Sequence, residues 1–157
     1  MSAAQRPPPP RPTWAEPIYL DASALVKLFV PEIESEALND ALVGARDVIV
    51  SDVALTEMAS ALGRRTREGR LKIAESRRLY REAEKLAASC RRAELTPPIH
   101  RRAERLLLSL EIRLRTLDAL HVATALDAEA ATVVTYDPRL RDAAASQGLF
   151  VVPDVSS

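Results

Sequence analysis

The chain of 157 residues is poor in several residue types, and each shortage excludes a kind of site. A single cysteine, Cys90, permits neither an internal disulfide nor a cysteine-based zinc site. Two histidines, His100 and His121, are too few for a histidine-rich zinc centre. The chain also has no glycine-rich phosphate-binding loop.

Long apolar runs are missing as well. No run approaches the roughly 20 residues that a membrane helix needs. The N-terminus lacks the apolar core of a secretory signal. We therefore expect a cytoplasmic protein that makes no membrane contact.

The formal net charge is zero, which argues against a basic field over the whole surface for binding nucleic acid. The positive charge is nearly all arginine, since lysine is limited to Lys27, Lys72 and Lys85. Arginine suits planar recognition of phosphate. The coding bias of a GC-rich genome explains the same excess, and composition does not separate the two explanations.

The order of apolar runs and helix signals predicts one α/β domain. Residues 1–17 are predicted to be a disordered, proline-rich tail, and residues 18–157 the folded domain. Strands are predicted at residues 18–20, 48–50, 95–96, 132–136 and 149–152. Helices are predicted at residues 22–29, 32–43, 51–67, 71–92, 99–112 and 116–129, with a last one opening at Asp137-Pro138. Short apolar strands that alternate with helices are typical of a parallel sheet covered on both faces.

Two acidic residues follow predicted strands directly. Asp21 comes after Ile-Tyr-Leu, and Asp137 comes after Thr-Val-Val-Thr-Tyr. Ligands of open parallel sheets bind outside the carboxyl ends of the strands, so two neighbouring strands would bring both carboxylates to one edge. Either residue could instead be only the N-cap of the helix that follows it.

Asp118 lies in the first turn of a predicted helix whose neighbouring residues are apolar or small. The helix dipole favours an acid there. However, Leu117, Leu120 and Ala125 are expected to be buried, and a buried acid is costly unless it is paired or binds a metal. His121, one turn further along, either hydrogen-bonds to Asp118 or packs as a satisfied core residue.

Glu57 lies on a helix with an apolar stripe formed by Leu55, Met58, Ala59 and Leu62. On a helical wheel Glu57 falls opposite this stripe, beside Ala54 and Ala61. That position is typical of a solvent-exposed residue, although the small neighbours also leave room for a cleft.

A cluster of carboxylates has a clear chemical use. Hard cations such as Mg²⁺ prefer oxygen ligands and usually take a few carboxylates together with water and substrate phosphate oxygens. Such an ion lowers the pKa of bound water and stabilises charge during attack on a phosphodiester.

The acidic residues lie in four segments, which are Tyr-Leu-Asp-Ala-Ser-Ala-Leu-Val-Lys at 19–27, Thr-Glu-Met-Ala-Ser-Ala-Leu at 56–62, Leu-Arg-Thr-Leu-Asp-Ala-Leu-His-Val-Ala-Thr-Ala at 114–125, and Thr-Tyr-Asp-Pro-Arg-Leu at 135–140. In this order they resemble the motifs of PIN-domain ribonucleases, and in size and signature the VapC-type toxins of bacterial toxin–antitoxin pairs. The match covers about residues 18–152.

The resemblance implies a PIN-like three-layer sandwich, in which a parallel sheet of about five strands is flanked by helices. It implies a metal-dependent endoribonuclease in which Asp21, Glu57, Asp118 and Asp137 converge on Mg²⁺ or Mn²⁺. Asp21 and Asp118 would hold the metal.

The resemblance also implies further contacts and partners. Ser23 would be a small polar residue near the site, and Arg115 a candidate phosphate contact, for which Arg113 is an alternative. The expected partners are RNA (a transfer or ribosomal RNA), a cognate VapB-type antitoxin and a second copy of the chain. The proline-rich tail departs from the family pattern.

Two other functions compete with this reading. A PIN-like module that binds RNA or protein without cutting is disfavoured by the presence of all four acids. A phosphoryl hydrolase with an aspartyl nucleophile would need a second aspartate two residues after Asp21, where the chain has Ser23.

Overall fold

The computed structural model describes residues 10–111 and 113–154, which form five strands and seven helices. The strands are β1 (Ile18–Leu20), β2 (Val48–Ser51), β3 (Arg91–Ala93), β4 (Thr132–Val134) and β5 (Val151–Val152). The helices are α1 (Ala22–Phe29), α2 (Ser35–Leu42), α3 (Asp52–Arg67), α4 (Ile73–Ser89), α5 (Pro97–Leu108), α6 (Thr116–Asp127) and α7 (Pro138–Ser146). In the described part of the chain, no helix is long and apolar enough to cross a membrane.

The strands form a single parallel sheet in the order β3-β2-β1-β4-β5. β1 is therefore central and pairs with β2 on one side and with β4 on the other. The register places Leu20 beside Val50 of β2 and Val134 of β4. The prediction of a parallel sheet of about five strands is confirmed.

Helices cover both faces of the sheet, and alternate residues of each strand supply the two cores. Ile18 and Leu20 of β1 pack with helices α1, α3 and α4 in the larger core. Tyr19 points to the other face and packs with Ile49, Val133 and Ala125 of α6. α6 also packs against α5 and α7, and its residues from Asp118 to Ala125 are buried except Leu120.

The prediction of a strand at residues 95–96 is wrong. The third strand is Arg91–Ala93, which pairs with β2, and the preceding helix ends at Ser89 instead of running to Arg92. Arg91 and Arg92 are exposed residues of an edge strand, so no buried apolar pattern marks them. Their side chains form ion pairs with Asp47 and Asp52 near β2.

The segment before β1 contacts the domain. Trp14 packs against the larger core, and the Thr132 hydroxyl donates to the Ala15 carbonyl at 2.7 Å. Glu16 accepts hydrogen bonds from the backbone amides of Arg46 and Asp47. The part of the predicted tail at residues 1–9 lies outside the described residues.

Candidate active site

The carboxyl ends of β1 and β4 bring polar residues together at one edge of the sheet. Because Leu20 pairs with Val134, the next residues along, Asp21 and Thr135, are neighbours. The Asp21 amide donates to the Val134 carbonyl at 3.2 Å and extends the pairing by one step. The strands that precede Asp21 and Asp137 are therefore sheet neighbours, which is the arrangement that would bring both carboxylates to one edge.

Asp21 is 3% exposed and its carboxylate is held by three donors. One oxygen, Oδ1, accepts from the Ala24 amide at 2.8 Å and so caps α1. The other, Oδ2, accepts from the Thr135 hydroxyl at 2.5 Å. The Ser23 hydroxyl lies within 2.9 Å of both oxygens. Burial raises the pKa of Asp21, although these hydrogen bonds oppose the shift.

Ser23 joins the two strand ends. Its hydroxyl donates to Asp21 and accepts a 2.8 Å hydrogen bond from the amide of Tyr136, which follows β4. Thr135 does the same from the other side, since its hydroxyl donates to Asp21 and accepts from the Asp137 amide at 3.0 Å. The position of Ser23 beside the predicted site agrees with the expectation, whereas the sequence did not reveal Thr135.

Asp118 lies in the first turn of α6 and is 6% exposed. Its Oδ2 accepts from the Arg115 amide at 3.2 Å. Burial raises the pKa of Asp118, and the nearby charge of Asp137 raises it further. Ala125 is buried as predicted, but Leu117 is 44% exposed and that prediction is wrong.

Asp137 is the N-cap of α7 and accepts from the Arg139 amide at 2.9 Å. The Arg115 side chain is exposed.

Glu57 is the last residue in a series of hydrogen bonds that starts in the buried core. The Tyr19 hydroxyl donates to Ser51 Oγ at 2.9 Å, and the Tyr19 oxygen lies 2.7 Å from His121 Nδ1. His121 Nε2 lies 2.5 Å from Glu57 Oε1. The ring of His121 therefore hydrogen-bonds to Tyr19 and Glu57, and not to Asp118 as the alternative would have it. Burial raises the pKa of the Tyr19 hydroxyl, which therefore keeps its proton.

A cleft of about 590 Å³ opens between α1 and α3, beside the acidic residues. Ser23, Glu57 and Leu117 are part of its wall. Its basic residues are Lys27, Arg64 and Arg65.

Two of these cations are already paired within the cleft. Glu32 forms ion pairs with both Lys27 and Arg65, and Lys27 also pairs with Glu34 at 3.0 Å. Arg64 is exposed. It is therefore the basic residue of the cleft that is most accessible to a substrate.

The carboxylate oxygens of Asp21, Asp118 and Asp137, here called the acidic edge, suit a hard divalent cation. Among residues 10–111 and 113–154, neither Asp21 nor Asp118 forms a salt bridge, so their buried charge has no basic partner. In the same residues, no group of three or more acidic, histidine or cysteine side chains is arranged to hold a metal. The donors fit an ion such as Mg²⁺, which takes one or two carboxylates and keeps water in its other positions.

Three residues beside this edge were missed by sequence reasoning, namely Tyr19, Ser51 and Thr135. Tyr19 carried a signal, because a hydroxyl within a buried aliphatic strand needs a hydrogen-bond partner. Thr135 could have been found from the pairing of β1 with β4, which sets it opposite Asp21.

Residues 18–146 match the model of the PIN domain family. The chain is 36% identical over 137 residues to Ribonuclease VapC46 of Mycobacterium tuberculosis, an alignment that covers 86% of this chain and 95% of that protein. It is 34% identical over 149 residues to Ribonuclease VapC35 of the same species, with the same coverage of 86% and 95%.

Solved structures share the fold at lower sequence identity. Mycobacterium tuberculosis VapC20, described as a toxin that cleaves the sarcin-ricin loop, superposes with a TM-score of 0.65 and 17% identity over 80% of this chain and 94% of its own. VapBC2 from Rickettsia felis, solved with a promoter DNA fragment, gives a TM-score of 0.62 and 12% identity over 86% and 96%.

Proposed function

The chain belongs to the PIN domain family, and on that premise we propose that it is a metal-dependent endoribonuclease, the toxin of a toxin–antitoxin pair. The observation that carries the proposal is the pair of buried carboxylates, Asp21 and Asp118, which have no basic partner among the described residues. The names of the relatives support RNA as the substrate and hydrolysis as the reaction.

Asp21 and Asp118 would hold Mg²⁺ or Mn²⁺, and Asp137 would complete the acidic edge directly or through water. A divalent cation bound there lowers the pKa of bound water and stabilises negative charge on the phosphodiester. Ser23 and Thr135 fix the Asp21 carboxylate by hydrogen bonds, so that it is already oriented before any ligand arrives.

Glu57 is proposed to position the attacking water or to accept its proton. Its carboxylate lines the cleft, and a group that positions or deprotonates a water must lie within hydrogen-bonding reach of it. Two exposed arginines are proposed to hold the RNA backbone. Arg64 lies in the wall of the cleft, and Arg115 directly precedes α6.

Partners follow from the same proposal. The solved relatives include toxin–antitoxin complexes, such as one from Klebsiella pneumoniae, which supports a small VapB-type antitoxin as the inhibitor. A homodimer and a transfer or ribosomal RNA substrate belong to the proposal as well.

The test is cleavage of structured RNA in Mg²⁺ or Mn²⁺ by the wild-type protein and by two variants, Asp21→Asn and Asp118→Asn. Both variants are expected to fall to the activity of the metal-free protein, because each removes a proposed metal ligand. Asp142→Asn is the matched control, since Asp142 is an exposed acid on α7. It should cleave as the wild type does.

Two results contradict the proposal. Equal cleavage by wild type, Asp21→Asn and Asp118→Asn removes the assignment of the metal ligands. Full-length RNA recovered with the metal present, while binding is retained, supports the non-cleaving module instead.

A further inference from the structure

Four polar residues from four parts of the fold form one continuous hydrogen-bonded chain under the cleft. Ser51 ends β2, Tyr19 is the middle residue of β1, His121 lies on α6, and Glu57 lies on α3. Tyr19 and Ser51 are fully buried and His121 is 3% exposed, whereas the Glu57 side chain is 29% exposed. The series of hydrogen bonds therefore begins in the core, at Ser51, and ends in the cleft, at Glu57.

The direction of the hydrogen bonds follows from the number of protons available. The Tyr19 hydroxyl has one proton and donates it to Ser51. Its oxygen must then accept from His121 Nδ1 across 2.7 Å, which assigns a proton to that nitrogen. Because a carboxylate oxygen only accepts, His121 Nε2 must carry a proton too and donate it to Glu57 Oε1, so the ring donates from both nitrogens, as an imidazolium does.

This arrangement restrains a side chain that would otherwise be mobile. A glutamate on the partly exposed side of a helix has several rotamers, and ordering it costs free energy. His121 meets Oε1 from a ring that is itself packed edge-on against Tyr19, with ring centroids 5.8 Å apart. Among residues 10–111 and 113–154, Oε2 accepts no hydrogen bond, so it is the oxygen left for a ligand in the cleft.

We propose that His121 is a positioning residue, which holds the Glu57 carboxylate in the cleft so that Oε2 meets the attacking water. Tyr19, anchored on Ser51, in turn holds the imidazole. The inference rests on the proposed ribonuclease function, to which it adds a residue that does not itself contact RNA or metal.

Two substitutions of His121 separate positioning from a general structural role. Asparagine can place its amide near the position of Nδ1 and keep the contact with Tyr19, whereas glutamine can reach the position of Nε2 and keep the contact with Glu57. We expect His121→Asn to lower kcat about 10- to 100-fold. His121→Gln should recover most of that loss, and KM should stay unchanged in both.

The matched control is His100→Gln, which alters the only other histidine of the chain, an exposed residue of α5. It should leave kcat and KM unchanged. Equal loss of kcat in His121→Asn and His121→Gln would assign His121 a merely structural role and overturn the inference.

A double variant tests whether His121 acts through Glu57. In the Glu57→Gln background, His121→Asn should lower kcat by less than about twofold, because the group to be positioned is already lost. An undiminished loss in that background contradicts the inference.

A spectroscopic readout separates this inference from the proposed function. Nitrogen NMR of the wild-type protein should give two histidine side-chain signal sets, of which His100→Gln removes one. Glu57→Gln should shift the Nε2 signal of His121 and leave that of His100 unchanged. If RNA is not cleaved but this shift occurs, the ribonuclease proposal fails while the positioning contact stands. Absence of the shift overturns the inference whether or not RNA is cleaved.

Discussion

Asp21 illustrates how one residue can serve two purposes that the sequence presents as alternatives. It caps α1 through Oδ1, as a strand-end aspartate commonly does. Its second oxygen is held by Thr135 at the end of the neighbouring strand. Capping therefore does not exclude Asp21 from a metal site, and the geometry leaves both purposes open to one carboxylate.

Thr135→Val is expected to lower RNA cleavage about tenfold or more, because the Asp21 carboxylate loses the donor that orients Oδ2. Valine has nearly the same shape, so packing is retained. The Asp137 amide also loses its acceptor, and we expect unfolding free energy to fall by about 1–2 kcal/mol. Cleavage rate and urea unfolding measure the two effects.

The control for this variant is Thr132→Val, at the other end of β4. Thr132 is also fully buried, and its hydroxyl donates to the Ala15 carbonyl, away from the acidic edge. Thr132→Val should lose comparable stability and keep its cleavage rate. Equal cleavage rates for the two variants would refute the orienting role of Thr135.

Glu57 shows where a helical wheel stops being informative. Leu55, Met58 and Leu62 of the predicted apolar stripe are buried, but Ala59 is exposed, and Ala54 on the side of Glu57 is fully buried. The wheel cannot show that α6 brings His121 against that side of α3. The family resemblance identified Glu57 as a site residue. Its contact with His121, 64 positions further along the chain, depends on the tertiary packing of α3 against α6.

At the scale of elements, the central strands were predictable, and of the two edge strands β5 was predicted but β3 was not. β1, β2 and β4 are buried on both faces and are rich in aliphatic and β-branched residues. β3 is Arg-Arg-Ala, and its pairing depends on β2 rather than on a pattern of its own. Its arginines prolong the charged pattern of α4, which explains why the predicted helix runs on to Arg92.

The helix α7 allows the two interpretations of Asp137 to be separated by experiment. Serine is as good an N-cap as aspartate but has no charge, whereas alanine removes both the cap and the charge. Asp137→Ser should keep the unfolding free energy within about 0.5 kcal/mol of wild type, and Asp137→Ala should lose about 1 kcal/mol. Both should lose RNA cleavage to the same extent if the carboxylate belongs to the site.

Cleavage at the wild-type rate by Asp137→Ser would make Asp137 a helix cap and nothing more. Chemical denaturation of the same preparations measures the cap, so each variant reports on both interpretations. Asp142→Ser on the exposed face of α7 serves as the control for introducing serine into this helix.

On the scale of the whole molecule, the sheet order explains why the acidic edge lies where it does. The chain proceeds from β1 to β2 and β3 on one side and then returns to β4 and β5 on the other. The order reverses between β1 and β4, and a crevice forms outside the carboxyl ends of strands at such a point. Asp21 and Thr135 follow those two strands, so topology alone brings them together.

The segment at residues 10–17, which precedes the domain boundary predicted at Ile18, contacts the folded domain. Gly44 accommodates it, because a Cβ at that position would lie 2.0 Å from the Pro10 carbonyl oxygen. Trp14, the single tryptophan of the chain, packs on the larger core next to these contacts. Its fluorescence therefore reports on this segment alone, while circular dichroism reports on the helices of the whole domain.

We expect the Trp14 emission of the native protein to be blue-shifted and to change in urea at the same midpoint as the circular dichroism, as one cooperative unit. Glu16→Ala removes the acceptor for two backbone amides. It should move the Trp14 transition to a lower urea concentration, while Glu16→Gln, which keeps a carbonyl acceptor, should move it less. A native emission already typical of tryptophan in water, with no transition in urea, would mean that the segment is detached in solution and that the domain begins at Ile18.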